Sequence, residues 1–361
     1  MSLIGASILA LSLLTLIPES VKKTGPFVWL SLPFRMGTET DTSMDNRYTI
    51  PQGWESRENP FFPGQGTLEE VLENPIYIQP QQERTTRPAP VIVSANLAGQ
   101  TENAYKALEE VRINPKLYDA DVLAFQEFTI EDQEILWGFA REGYHTRWAT
   151  EFFELEDGYP TKTTGNVVFT RRPIDYYQCQ RLMPAKNWYK DPIEPRVGNR
   201  VASHQVLTVG DQKYLVSNTH IEDKTKSELR ERQILGMVDR AERLRDSLDI
   251  DRSLLVGDFN VYRQEPVLES LRLRGYHDRV TPLYKRTSRI PGSSPLISNA
   301  LYGNGKLWRG LASIVLHRPS EEHWPTHPDM VFTKGFDPES IDVDYSAFEF
   351  SDHVPITVTL P

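Results

Sequence analysis

The stretch Ser253–Asn260, SLLVGDFN, carries the most informative pattern in the chain. An apolar run is followed at once by Gly257 and then by Asp258 and Asn260, whose side chains suit a metal ion or a phosphate. A buried strand that ends in this way presents its polar side chains at the rim of a sheet, where α/β enzymes bind ligands. The tripeptide SDH at 351–353 stands beside a second apolar run, VPITVTL. Together the two segments predict a hydrolase.

From Pro90 to the end of the chain, short apolar runs alternate with segments of helical periodicity. This alternation is typical of an α/β domain. Helices are predicted around 104–111, from a cap at Thr129 and Asp132 through Phe139, and from 234 to 248. A hairpin turn is predicted at Gly210-Asp211. The predicted strands are PVIVSAN (90–96), DVLAFQE (121–127), NVVFT (166–170), 201–208, 213–219, 253–256, 330–332 and 354–360.

Six of these strand ends carry Asn, Asp, Glu or His. At a single strand end, an Asn or Asp usually serves a turn or a helix cap. Recurrence at six ends is hard to attribute to turns alone and predicts one shared site. The side chains are Asn96, Glu127, Asn218 with His220, Asp258 with Asn260, Asp329, and Asp352 with His353.

The residue types predict the chemistry of that site. Carboxylates and amide oxygens suit a hard cation, Mg²⁺, Mn²⁺ or Ca²⁺, better than zinc. The single cysteine, Cys179, has alanine at position 185, where a thiol phosphatase would need an arginine. The chain has no Walker loop and no Gly-x-Ser-x-Gly motif. Two histidines on different strands offer a general base and a phosphate or leaving-group partner. The predicted reaction is attack of activated water on a phosphoester.

Composition sets the outer limits of this interpretation. The chain has 361 residues, of which 39% are hydrophobic, enough for one large core or two ordinary ones. With a net charge of −10, the chain does not have the excess of basic residues that is common in nucleic-acid-binding proteins. A local basic patch is compatible with this charge. One cysteine excludes an intrachain disulfide.

The first 89 residues differ in composition from the rest of the chain. Residues 1–34 form an apolar segment in which Leu3–Ile17 is uncharged and short for a membrane span, so a signal peptide or anchor is expected. An exported, periplasmic or membrane-associated location is therefore expected ahead of a cytoplasmic one; the alternative is an ordinary buried or truncated segment. Residues 35–89 are rich in Pro and polar residues and predict an arm or linker. The α/β domain is assigned to 90–361.

The motifs in this domain resemble those of the endonuclease/exonuclease/phosphatase (DNase I-like) superfamily. They span three quarters of the chain in the order of that family, which includes secreted DNases, apurinic endonucleases, neutral sphingomyelinases, inositol-phosphate phosphatases and deadenylases. The resemblance implies a four-layer α/β sandwich, in which two packed mixed β-sheets are flanked by helices. The motifs are SAN (94–96), FQE (125–127), GNVVFTRRPI (165–174), SNTH (217–220), GDFN (257–260), PDMVF (328–332) and SDHVPI (351–356).

The resemblance also implies roles for the site residues. Asn96 and Glu127 would hold the metal, expected to be Mg²⁺ with Mn²⁺ or Ca²⁺ as alternatives, and Asp352 would contribute nearby. Asp258 and Asn260 would position the nucleophilic water and the phosphate. The remaining implied roles are those of His353 as base or phosphate ligand, Asp329 as its orienting partner, and His220 and Asn218 at the phosphate or leaving group. Asn166 is a candidate behind the site, with a strand-entry amide as the alternative. From their charge, Arg196 or Arg200 is a candidate clamp for a phosphomonoester.

The predicted function is divalent-metal-dependent hydrolysis of a phosphoester, of the phosphodiesterase or endonuclease type, with no obligate protein partner. A sphingomyelinase-like lipid phosphodiesterase and an inositol-phosphate phosphatase are the alternatives, so the substrate is a nucleic acid, a phospholipid or an inositol phosphate. The stretch Pro282–Pro325 is expected to be a surface loop region with its own small apolar cluster; the alternative is an apolar element that reaches a bilayer. Because every expected catalytic position is filled, an inactive binding member is disfavoured. Candidates for a nucleic-acid groove are Arg171, Arg172, Lys186, Lys190, Arg196 and Arg200, interleaved with Trp188 and Tyr189.

Overall fold

The computed structural model describes residues 50–82, 89–191, 195–223, 225–261, 265–280, 329–345, 351 and 353–361. The predicted N-terminal segment 1–34, the apolar stretch Pro282–Pro325 and the metal-ligand candidate Asp352 lie outside these residues. Within the described ranges, none of the helices has the length and apolar character needed to cross a membrane.

The first sheet contains the strands that end at Asn96 and Glu127. Its strands are β1 (Ile76–Ile78), β2 (Val91–Asn96), β3 (Val122–Ile130), β4 (His145–Glu156), β5 (Tyr159–Thr170), β7 (Arg196–Gly198), β13 (Asp342–Tyr345) and β14 (Ile356–Thr359). Over the described residues their order is β1-β4-β5-β3-β2-β14-β13, and β7 pairs with the edge of β4. In this order only β2 and β3 run parallel, and the crossover between them contains two helices, Thr101–Ile113 and Pro115–Tyr118.

The second sheet contains the strands that end at His220 and Asp258. Its strands are β6 (Ile174–Arg181), β8 (Val201–Val209), β9 (Gln212–His220), β10 (Arg252–Asp258), β11 (His277–Asp278) and β12 (Asp329–Lys334), in the order β11-β12-β10-β9-β8-β6. Strands β9 and β10 are parallel, and the predicted hairpin at Gly210-Asp211 joins β8 to β9. Both sheets are therefore mixed.

Six helices cover the outer faces of the sheets in the described part of the chain. They are α1 (Leu68–Glu73), α2 (Thr101–Ile113), α3 (Pro115–Tyr118), α4 (Glu134–Arg141), α5 (Ser227–Leu248) and α6 (Pro266–Leu273). Helix α2, with α3, connects β2 to β3, and α5 connects β9 to β10.

Side-chain alternation along the strands produces three apolar layers. On β10, Leu254 and Val256 point between the two sheets, whereas Leu255 points toward α5 and α6. On the other side, Phe169 of β5 stacks on Phe139 of α4 at 3.8 Å between ring centroids. The order helices, sheet, sheet, helices confirms the predicted four-layer α/β sandwich.

The described part of the predicted arm, residues 50–82, belongs to this fold. Trp54 and Phe62 are buried in the core beneath the first sheet, and β1 pairs antiparallel with β4. Helix α1 begins with a capping box in which Thr67 and Glu70 satisfy each other's backbone N–H groups. This stretch therefore contributes a strand and core side chains. The division of the chain at residues 34 and 89 stays a prediction.

The structure differs locally from the sequence prediction at β3 and β4. Thr129 was expected at the start of a helix, but it lies in β3, which continues to Ile130. Helix α4 begins later, and the Asp132 side chain accepts a hydrogen bond from Glu134 N at 2.8 Å. Strand β4 is twelve residues long and has no counterpart in the sequence prediction, because its polar and apolar residues do not alternate regularly.

Candidate active site

The predicted polar strand ends meet at one edge of the sandwich. His220 is paired with Asp258 across the parallel strands β9 and β10, and Asp258 is paired with Asp329 across β10 and β12. The three side chains therefore stand side by side at the rim of the second sheet. Asn96 and Glu127 reach the same edge from the first sheet.

Asp258 lies at the centre of this edge, between a second carboxylate and two histidines. Oδ2 of Asp258 is 3.8 Å from His220 Nε2 and 3.9 Å from His353 Nδ1. Burial raises the pKa of Asp258 to about 7, the neighbouring Asp329 carboxylate adds to the rise, and His353 opposes it. Two adjacent buried carboxylates favour a proton or a cation between them.

His353 is oriented by Asp329. The imidazole Nδ1 is 2.7 Å from Asp329 Oδ2, and Asp329 is almost completely buried. Ligand atoms of Asp258, Asp329 and His353 all lie within 4.8 Å of one another. Ser351 fixes the approach of this segment, because its Oγ donates to Asn96 O at 2.5 Å and accepts from His353 N at 3.1 Å.

Asn96 joins the two sheets at the site. Its Nδ2 donates to Asp258 Oδ2 at 2.9 Å, and its Oδ1 accepts from Ala98 N at 2.7 Å. An amide oxygen has two lone pairs, so one remains for a further ligand. The Asn96 side chain thus holds the Asp258 carboxylate of the second sheet next to its own amide oxygen, which belongs to the first sheet.

Glu127 sits at an irregularity of β3. The pairing of β3 with β5 shifts between Phe125 and Phe128, which marks a β-bulge, and Glu127 has a left-handed φ of 48°. Left-handed conformations of residues other than Gly cluster at functional sites. The bulge turns the Glu127 side chain to the edge, where it is 27% exposed and its Oε1 lies 3.4 Å from His220 Nδ1.

His220 is buried and neutral in this surrounding. Burial lowers the pKa of His220 well below its ordinary value, and the neighbouring Arg200, His353 and Arg196 lower it further. Arg200 Nη1 lies 2.7 Å from His220 Nδ1. Because a guanidinium only donates, Nδ1 accepts and Nε2 carries the proton.

Asn260 holds the other side of the His220 ring. Its Nδ2 donates to Ile221 O at 2.9 Å and lies 3.1 Å from His220 Nε2. Two N–H groups cannot donate to each other, so the contact between Asn260 Nδ2 and His220 Nε2 is a packing contact. Asn260 has a left-handed φ of 48°, and its backbone N donates to Asp258 Oδ1 at 2.9 Å.

Arg200 is buried among three carboxylates, two of which the sequence prediction missed. Its Nη1 is 3.0 Å from Glu151 Oε2, its Nε is 3.6 Å from Glu222 Oε2, and its Nη2 is 3.8 Å from Glu127 Oε1. Burial alone would lower the pKa of Arg200, but the carboxylates outweigh it and raise the pKa. Burial raises the pKa of Glu151, and it raises the pKa of Glu222 to about 7.

A signal for Glu151 does exist in the sequence. It is the only charged residue within the run WATEFF at 148–153. A carboxylate within such a run is expected to need a buried cation.

Asn166 and Asn218 lie between the sheets, beneath the edge that carries the site. Asn218 Nδ2 donates to Phe125 O at 3.2 Å, and its Oδ1 accepts from Gln126 Nε2 at 2.6 Å. Asn166 Nδ2 donates to Val201 O at 2.9 Å. Both side chains are fully buried and bind groups of the opposite sheet, so they hold the two sheets in register under the site.

Comparisons with known proteins identify the family of the chain. Residues 93–353 match the sequence model of a family described as the Endonuclease/Exonuclease/phosphatase family. The chain belongs to the Endonuclease/Exonuclease/phosphatase family. None of the curated proteins matches it.

Three solved structures are similar in fold to the chain over about three quarters of its length. The human nocturnin catalytic domain is 16% identical with a TM-score of 0.50, and the match covers 79% of this chain and 96% of that one. An endonuclease/exonuclease/phosphatase from Beutenbergia cavernae is 18% identical with a TM-score of 0.51, over 76% of this chain and 71% of that one. A double mutant of Staphylococcus aureus beta toxin is 16% identical with a TM-score of 0.50, over 76% and 100%.

In this member of the Endonuclease/Exonuclease/phosphatase family, the oxygen ligands at the edge fit a hard cation. Glu127 offers a partly exposed carboxylate, and Asn96 offers an amide oxygen with one lone pair remaining. Asp258 and Asp329 add negative charge within the same edge. The remaining candidate ligand, Asp352, lies outside the described residues.

The basic residues suggested for a nucleic-acid groove fall into two groups. Arg171 and Arg172 follow β5 at the end where Thr170 pairs with Val122, the first residue of β3. This is the end of β3 away from Glu127, and Arg172 pairs with Asp121 there at 3.1 Å. In the other group, Arg200 contacts His220, Lys186 and Arg196 lie over the Trp188 ring, and Lys190 belongs to the turn Trp188–Lys190.

Proposed function

We propose that the protein is a divalent-metal-dependent phosphoester hydrolase of the phosphodiesterase or endonuclease type. The observation that carries the proposal is the pair formed by His353 and Asp329 beside Asp258, opposite the oxygen ligands of Asn96 and Glu127. This arrangement combines a proton acceptor, an orienting carboxylate and a cation site within one buried edge.

Asn96 and Glu127 are proposed as the metal-binding residues, with Asp352 as a third. Bound Mg²⁺ would neutralise the charge that develops on the phosphate oxygens. Two structures of the same fold are compatible with a metal and an anion as ligands: the beta toxin mutant is described with bound magnesium ions, and the nocturnin domain with a bound sulfate anion.

His353 is proposed as the residue that takes the proton of the attacking water. A water oxygen, positioned by Asp258 and Asn260, forms a bond to phosphorus, and the ester P–O bond breaks. The leaving oxygen departs with the bonding electron pair, while the water's proton passes to Nε2 of His353. The Asp329 carboxylate stabilises the resulting imidazolium through its contact with Nδ1.

His220 and Arg200 are proposed to stabilise the phosphate from the opposite side. The neutral His220 offers an Nε2–H donor, because Arg200 occupies its Nδ1. Arg200 keeps its positive charge, since the surrounding carboxylates raise its pKa. A donor and a cation held in fixed positions favour the transition state, where negative charge on the phosphate increases.

Hydrolysis of bis(p-nitrophenyl) phosphate tests the proposal. We expect turnover with Mg²⁺, loss of turnover with excess EDTA, and recovery when Mg²⁺ is restored. His353→Ala should lower kcat by roughly 10² or more, whereas His277→Ala, a change of an exposed histidine on β11, should not. Turnover that survives EDTA, or equal activity in His353→Ala, would contradict the proposal.

A panel of plasmid DNA, RNA, sphingomyelin vesicles and inositol phosphates separates the substrate classes. Cleavage of nucleic acid with strong salt dependence would support the nuclease type. Selective turnover of sphingomyelin would instead support the lipid phosphodiesterase, and selective turnover of inositol phosphates would support the inositol-phosphate phosphatase.

A further inference from the structure

The ring of Phe152 lies beneath the guanidinium of Arg200, which contacts His220. The Arg200 Cζ is 5.4 Å from the centroid of the ring, within the distance at which an aromatic face attracts a cation. Phe152 is fully buried and Arg200 is almost fully buried. Because little water competes there, the attraction is stronger than at an exposed site.

A bulge in β4 brings the ring to this place. The pairing of β4 with β5 shifts between Thr150 and Phe152, so that Glu151 is the additional residue. Trp148 and Phe153 are five positions apart, yet both belong to the core beneath the first sheet, whereas a regular strand would place them on opposite faces. The bulge thus allows two successive side chains, those of Glu151 and Phe152, to contact the same guanidinium.

Strand β7 holds Arg200 against this bulge. Gly198 of β7 pairs with Phe152, and Asn199 N donates to Glu151 O at 2.8 Å. A Cβ at Gly198 would lie 1.9 Å from Glu151 O, so only glycine allows this approach. The side chain of Arg200 therefore begins from a backbone that is fixed to β4.

The carboxylates alone do not fix the orientation of the guanidinium. Glu151 Oε2 is within hydrogen-bond distance of Nη1 at 3.0 Å, whereas Glu222 and Glu127 lie at 3.6 Å and 3.8 Å from the guanidinium nitrogens. A single hydrogen-bonded carboxylate permits the planar group to turn about that contact. The Phe152 ring is a second anchor, which resists the turn. With both anchors, Nη1 keeps its contact of 2.7 Å with His220 Nδ1.

We propose that Phe152 is a positioning residue of the phosphoester site, whose ring holds Arg200 in the orientation that contacts His220 and the phosphate. The inference rests on the proposed function, in which Arg200 and His220 stabilise the phosphate together. Because Phe152 is fully buried, it acts through Arg200 and not on the substrate. Its contribution is therefore expected in kcat more than in KM, since Arg200 acts on the charge that grows in the transition state.

Fluorination of the Phe152 ring tests this role with little change of shape. Each fluorine withdraws electron density from the face of the ring and weakens its attraction for a cation. With one, two and three ring fluorines at position 152, kcat for bis(p-nitrophenyl) phosphate should fall stepwise, by about threefold to tenfold for the trifluorinated ring. KM should change less than about twofold. A ring that only fills space would give the same kcat throughout the series.

Phe153 provides the matched control. It is the next residue of β4, is equally buried, and contacts the rings of Trp54 and Phe61 at 5.5 Å and 5.7 Å between centroids. The same series of fluorinated rings at position 153 should leave kcat within about twofold of the unmodified protein. A constant kcat across the series at position 152, or an equal decline at position 153, would overturn the proposal.

A measurement without turnover keeps this role distinguishable from the proposed function. The nitrogen-15 chemical shift of His220 Nδ1, at one fixed pH, reports whether this atom accepts a hydrogen bond from Arg200. Phe152→Leu removes the aromatic face and keeps an apolar side chain, so it should change this shift, whereas Phe153→Leu should not. The trifluorinated ring at position 152 serves the same comparison if Phe152→Leu does not fold.

The two measurements separate the possible failures. If the ester is not hydrolysed but the His220 Nδ1 shift depends on the Phe152 ring, the proposed function fails and the positioning of Arg200 by Phe152 stands. An Nδ1 shift that is the same with and without the Phe152 ring would overturn the positioning role whatever the turnover.

Discussion

Asp329 and His353 are 24 positions apart in the chain, and their side chains meet with 2.7 Å between Oδ2 and Nδ1. Asp329 begins β12 and is paired in register with Asp258, so it is anchored by the sheet. His353 belongs to the segment before β14 in the other sheet. The contact therefore ties the two sheets together at the site and fixes which nitrogen of His353 faces the carboxylate.

Asp329→Asn should lower kcat for bis(p-nitrophenyl) phosphate by roughly 10² to 10⁴ and change KM little. The amide keeps the shape of the side chain but cannot stabilise an imidazolium, and it permits the wrong tautomer of His353. Steady-state kinetics at saturating Mg²⁺ measures both constants. Asp342→Asn, at an exposed position of β13, serves as the control. A loss of less than threefold in Asp329→Asn would show that the orienting contact is not used.

Asp258→Asn should stabilise the fold at pH 8 while removing activity. Burial and the Asp329 carboxylate raise the pKa of Asp258 to about 7, from about 4 in the unfolded chain. The native carboxylate is thus unfavourable above pH 7, and the penalty disappears as pH falls toward 4. We expect the melting temperature without metal to rise by ~3 °C or more at pH 8. The gain should shrink at pH 5; an equal gain at both pH values would contradict this account.

Glu151→Gln should destabilise the protein by about 3 kcal/mol, because it leaves the buried Arg200 with a weaker partner. The two side chains meet at 3.0 Å, with the carboxylate fully buried. Urea unfolding measures the change. Glu142→Gln, in the exposed pair with Arg112 at 2.9 Å, should cost less than about 1 kcal/mol. Similar losses in the two variants would mean that burial of the Glu151 pair is not what matters.

Gly257→Ala should destabilise the fold by about 3 kcal/mol or more and lower activity as well. An added Cβ would lie 2.0 Å from Thr219 O, next to His220, and the φ of 135° disfavours any side chain. Gly236→Ala is the matched control, because it lies within α5 and its Cβ would meet nothing within 4 Å. The control should stabilise the helix by ~0.5–1 kcal/mol. Equal unfolding midpoints for the two variants would refute the close-approach argument.

The strand that carries GDFN was predictable because its signal is local. Three apolar residues, Leu254 to Val256, precede Gly257, and the structure places Asp258 at the last position of β10. Asn96 and His220 likewise end the strands in which they were expected. Glu127 was expected at a strand end but lies at a bulge within β3, since pairing irregularities depend on the neighbouring strand.

The partners of Arg200 were not predictable in the same way. Glu151 is 49 positions from Arg200, and only the pairing of β7 with β4 brings them together. Asn218 was expected at the phosphate from its place beside His220. Successive side chains of a strand point to opposite faces of the sheet, and residues two positions apart point to the same face. The direction of the Asn218 side chain therefore depended on which face of β9 packs against the first sheet.

By itself, the sequence determined the α/β class, the positions of most strands and the kinds of side chain at their ends. These properties depend on neighbours within a few residues, through apolar periodicity and turn chemistry. Only the tertiary structure decided that Asp258 stands between His220 and Asp329, and that Arg196 and Arg200 share one ring. Such contacts depend on strand order and register, which are set by packing across the whole sandwich.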